Sequence, residues 1–95
     1  MKNLLTEEAI RIELLIMELT IKVNIADDEI DNIWKRVKDL EEAWSACQND
    51  TIGGLLDDTY IIYDKACNEY ACLKSELTNT IKHKEAIDNL LRFYN

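Results

Sequence analysis

Apolar side chains recur along the first half of the chain at alternating intervals of four and three residues. They are Leu5, Ala9, Ile12, Ile16, Leu19, Val23, Ala26, Ile30, Ile33, Val37, Leu40, Trp44 and Cys47. A seven-residue repeat held for about six heptads marks a coiled-coil seam, a narrow stripe that must lie against another helix. A second seam follows at Leu56, Thr59, Tyr63, Ala66, Tyr70, Leu73, Leu77, Thr80, Lys84, Ile87, Leu91 and Tyr94. Lys84 is its one charged member; its methylenes can lie along the seam while the ammonium lifts to the edge. Ile62, Ile81 and Leu90 are read as widening this stripe. No two-residue alternation bounded by turns signals a strand.

Between the seams, Asn49-Asp50-Thr51-Ile52-Gly53-Gly54 is the only turn signal. Asn, Asp and Gly suit turns and helix ends, and the chain has no proline. The expected fold is all-α: an antiparallel two-helix hairpin of long coiled-coil-like helices, associating into a larger helical bundle. It is expected as one domain over 1–95, with helix 1 at about 6–48, the turn at 49–54 and helix 2 at 55–94. Thr6 is the expected cap of helix 1, with Glu7 and Glu8 in its first turn. Asp57 and Asp58 take the same place in helix 2. A break at Asn24–Glu29 would make three helices instead, but the repeat passes through Val23, Ala26 and Ile30 without a slip. The hairpin is set to reverse near residue 51, with Trp44 against Leu56, Thr59 and Tyr60, Ile12 facing Leu91 and Leu19 facing Lys84.

Helix 1 also carries a second apolar row on the side opposite its seam: Ile10, Leu14, Met17 and Ile21, extended by Ile25. Beyond it the same face reads Asp28, Asp31, Lys35, Lys38 and Glu42. A helix apolar on two faces is buried on both. The row is the inside of a three-helix bundle, an association surface for another helical protein, self or foreign, or apolar surface that is tolerated in water. The second reading is the expectation taken forward, with Ile10, Leu14, Met17 and Ile21 as partner-binding residues.

Charge narrows the choice of partner. The chain holds 19 acidic and 11 basic side chains, a formal charge of −8. Nucleic acid and anionic membranes both call for a basic face, so neither is expected as a partner. Glu7, Glu8, Arg11, Glu13 and Glu18 interrupt every apolar core that a leader peptide or a membrane span would need. A cytoplasmic start is therefore expected, and export, where it occurs, by a route that carries folded helices.

No catalytic set assembles. His83 is the only histidine and stands between Lys82 and Lys84. No Glu-x-x-His pair, grouped Cys/His set or glycine-rich phosphate loop is present. Asp27-Asp28-Glu29, Glu41-Glu42 and Asp57-Asp58 lack the glycine-bearing loop of a calcium site. Cys47, Cys67 and Cys72 are too few and too oddly spaced for a disulfide framework, and are read as reduced thiols, Cys47 within the seam. The expectation is a protein without catalytic residues, metal or cofactor.

Leu40-Glu41-Glu42-Ala43-Trp44-Ser45-Ala46 stands before the turn, near the middle of the chain. With two long helices around it, this stretch resembles the WXG family, the small Esx-like helical hairpins of bacterial type VII secretion. Trp44 stands for the family tryptophan, and Ala46 takes the place of its glycine. The His83–Leu90 stretch is similar to the end of the second helix in such proteins. The family's tail signal, Tyr-x-x-x-Asp/Glu beyond helix 2, does not follow Tyr94-Asn95. The resemblance implies a secreted small helical substrate, or a targeting partner or chaperone for a toxin of the LXG type, acting as a homo- or heterodimer. The alternative is a cytosolic coiled-coil adaptor or an immunity-like helical binding protein; a structural oligomerisation module is a third possibility.

Overall fold

The computed structural model describes residues 1–94 and contains two helices, α1 (Lys2–Ala46) and α2 (Asp50–Tyr94), of 45 residues each. The chain is all-helical, and the two helices form a hairpin. α1 runs without interruption through Asn24–Glu29, so the three-helix alternative is set aside.

Both helices start earlier than the sequence suggests. Thr6 does not cap α1: its hydroxyl donates to the Lys2 carbonyl one turn back, at 3.0 Å, already inside the helix. The turn is Cys47–Asn49, ahead of the glycines. Asn49 provides the helix start, because its Oδ1 accepts the Ile52 amide at 2.9 Å while its carbonyl accepts from Gly53 at 3.0 Å. Asp50 adds a carboxylate to the exposed amides of the first turn. Gly53 and Gly54 therefore lie within α2, and no described residue has positive φ.

Packing divides the chain into two compact units. The turn unit comprises residues 24–71. Its interior is Ile33, Val37, Leu56 and Thr59, with Val37 fully buried. The Thr59 hydroxyl is satisfied by donating to the Leu55 carbonyl at 2.7 Å, so a polar group sits in the seam without an orphaned hydrogen bond. The arm unit pairs residues 1–23 with residues 72–94. Ala9, Ile12 and Ile87 form its core, with Leu5, Ile16 and Leu91 packed around them. Leu19 and Val23 are buried further along α1.

The seam of α1 is inside from Leu5 to Trp44, but Cys47 falls past the helix end and is exposed. On α2, Leu56 to Leu91 are all buried or half-buried at the seam positions, whereas Tyr94 is exposed. Ile62, Ile81 and Leu90 do not widen the stripe; each is exposed on a flank. The pairing register follows the earlier turn. Trp44 meets Gly53, Trp34 meets Tyr63 and Glu13 meets Lys84, pairs whose numbers sum to about 97 and not about 103. Leu91 does join the Ile12 cluster, beside the buried Ile87, while Lys84 reaches Glu13.

Candidate docking face

The second row of α1 lies in the arm unit and is in solvent. Ile10 is 55%, Leu14 62%, Met17 62% and Ile21 59% exposed, while Ile12 and Leu19 on the other side of the same turns are 1% and 3% exposed. The helical period alone separates the two sets. The structure thus brings all four residues onto one unpartnered face.

Charged side chains rim this face. Arg11 makes a two-pronged bond to Glu8, one limb at 3.0 Å from Nε to Oε2 and the other from the terminal nitrogen to Oε1. That hydrogen bond holds the Glu8 carboxyl below its ordinary range and raises the Arg11 guanidinium. Lys22 pairs with Glu18 at 3.2 Å. Both pairs are exposed, so they order the rim more than they stabilise the fold.

Elsewhere in the arm unit, Lys84 behaves as its sequence position suggests. Its Nζ bonds both oxygens of Asp88, at 2.9 and 3.2 Å, and lies 3.6 Å from Glu13 on α1. The Asp88 bond, opposed by partial burial, raises its pKa. His83 approaches Glu8, Nε2 to Oε1, at 3.9 Å.

Trp44 and Ala46, the two motif positions, have different surroundings. Ala46 is the exposed last residue of α1. The Trp44 ring is half-buried and lies over Gly53, where an added Cβ would stand 3.0 Å from Cζ3. Gly53 is therefore a packing glycine: it leaves room for an indole to approach the α2 backbone.

Trp34 is a feature that the sequence reading passed over. It is 41% exposed, its ring centroid is 5.2 Å from that of Tyr63, and the Lys38 ammonium lies 4.5 Å above it. The available signal was its place one residue after the seam position Ile33, on the flank that faces the neighbouring helix. Close by, burial and then a hydrogen bond to Glu41 push the Tyr60 hydroxyl up.

Among the described residues, no three His, Cys, Asp or Glu side chains are grouped to hold a metal ion. The cysteines are free; Cys47 and Cys72 are exposed and Cys67 is half-buried. No described helix is long and apolar enough to cross a membrane. A shallow hollow in the turn unit, about 230 Å³ and lined by Glu29, Ile33, Ile62, Lys65, Ala66 and Glu69, opens widely to solvent and brings together no reactive set. No protein-family model matches this chain, and neither a curated protein nor a solved structure does.

Proposed function

We propose that this protein is a non-catalytic helical docking protein, working by association of another helix with the back of α1 in the setting of type VII secretion. In that setting it is a small substrate or the targeting partner of a secreted toxin. The observation that carries the proposal is the exposure of Ile10, Leu14, Met17 and Ile21 while the seam of the same helix is satisfied. Hairpin formation does not use the row. Burying it at about 25 cal/mol per Å² of apolar surface supplies several kcal/mol toward association. An aliphatic centre with Arg11, Glu13, Glu18 and Lys22 around it also has the make-up of a protein interface. The secretion setting draws its support from two helices of equal length and from Trp44 just before the turn.

Leu14→Lys combined with Met17→Lys tests the docking face, read by light scattering and by pull-down against proteins encoded beside this chain. Loss of association with helicity intact by circular dichroism is the expected result. A double variant that keeps its oligomeric state and every partner removes the row as a working surface. An LXG-type toxin or an EssC-like ATPase encoded alongside supports the secretion setting. A lone toxin neutralised by this chain favours the immunity-like alternative.

A further inference from the structure

We infer that the occupant of the docking face is a second copy of this chain, α1 against α1 in antiparallel orientation, about a two-fold axis between Leu14 and Met17. The inference rests on the reading of the row as a docking face and adds who sits on it. Its basis is that the exposed residues of α1 form a pattern that reads the same when reversed.

Turning the row about its centre places Leu14 on Met17 of the second copy and Ile10 on Ile21. All four are more than half exposed in the single chain. One edge of the row, at seven-residue spacing, holds Arg11 and Glu18. An antiparallel pair sets each edge against its own reverse, because the symmetry is isologous. That edge then opposes Arg11 to Glu18, twice. The opposite edge sets Glu13 against Thr20, with no like charges facing.

A parallel pair fails the same check. It opposes the two different edges, which brings Glu13 toward Glu18 of the other copy on both sides, and like charges at such positions repel. Charge therefore selects orientation as well as partner. Arg11 and Glu18 are engaged only in exposed pairs within their own chain, with side chains 66% and 61% exposed, so they exchange partners at little cost. A single row with two ion-pair sites lies at the small end of specific interfaces, and a micromolar dimer is expected.

The test uses the full chain in sedimentation equilibrium across the micromolar range. Wild type is expected to dimerise. Arg11→Glu and Glu18→Arg should each weaken the dimer about tenfold, since each sets two like-charge pairs face to face. An equal mixture of the two variants should recover wild-type affinity, because the antiparallel heterodimer has a Glu opposite an Arg at both sites. A wild-type chain that stays monomeric overturns the self-pairing, as does a dimer indifferent to both reversals or a mixture no tighter than the single variants. The docking-face reading is decided separately. If wild type is monomeric but Leu14→Lys with Met17→Lys abolishes capture of a different helical protein, the second copy is the wrong occupant and the face stands. If wild type is dimeric and that double variant remains so, the self-pairing falls, and the face falls with it when capture of every other helical partner is also unchanged.

Discussion

The two halves of α1 share one seam and have opposite backs. In the arm unit the side away from the seam is Ile10, Leu14, Met17 and Ile21; in the turn unit it is Asp28, Asp31, Lys35, Lys38 and Glu42, all exposed. Buried seam residues occur in both, from Ile12 and Leu19 to Ile33 and Val37. A charged back is thus compatible with a formed seam on the same helix. The apolar back needs a different cause, and the proposed docking role supplies one.

The widest separation between seam and back should come from truncation. Ile12→Ala, at a site 1% exposed, is expected to cost about 2–5 kcal/mol in chemical denaturation. Leu14→Ala, two positions along at 62% exposure, should stay within about 0.5 kcal/mol under dilute, monomeric conditions. Equal losses at the two sites would mean that the hairpin itself depends on the back row.

A smaller effect sharpens the account of the turn unit. Gly54 has nothing within 4 Å of a built Cβ, so Gly54→Ala should stabilise α2 by up to about 1 kcal/mol through helix propensity alone. Gly53→Ala offers the same propensity but places its methyl 3.0 Å from Trp44 Cζ3, and should fall clearly short of that gain. In a Trp44→Ala background the two substitutions should become equivalent. Identical melting shifts in the wild-type background would show that the indole does not rest on Gly53 in solution.

The smallest effect belongs to the rim. The Arg11 hydrogen bond lowers the Glu8 pKa in the folded chain, so its contribution is fully present above the unfolded carboxylate value. It is lost as the pH falls through the lowered, folded value. Glu8→Gln should flatten the acid limb of a stability–pH curve slightly, the carboxylate being solvent-screened. An unchanged acid limb would show that the pair orders the rim without stabilising it.

The regular parts of the molecule were the legible ones. A heptad repeat specifies which side chains face inward wherever the helix is straight, and so the buried set from Ala9 to Val37 follows from spacing alone. The exposed row at Ile10–Ile21 was legible for the same reason. The turn was misplaced because Gly53-Gly54 is the louder signal, while the deciding contact is one side-chain oxygen, that of Asn49, on the Ile52 amide. That displacement carried the pairing register with it, and with it the neighbour of Trp44. Trp34 was missed because a seam pattern marks the centre of a contact and leaves its flanks unassigned, yet large aromatic rings reach across from the flank.

Both tryptophans, Trp34 and Trp44, belong to the turn unit, one beneath Lys38 and against Tyr63, the other over Gly53. Intrinsic indole fluorescence is therefore a local reporter, blind to the strip of helix on which the proposed docking face lies. Fraying of the arm unit would leave emission steady while far-ultraviolet circular dichroism declined. A denaturation curve followed by emission alone would assign such a chain full native structure, and non-coincident curves from the two probes would expose a departure from all-or-none unfolding.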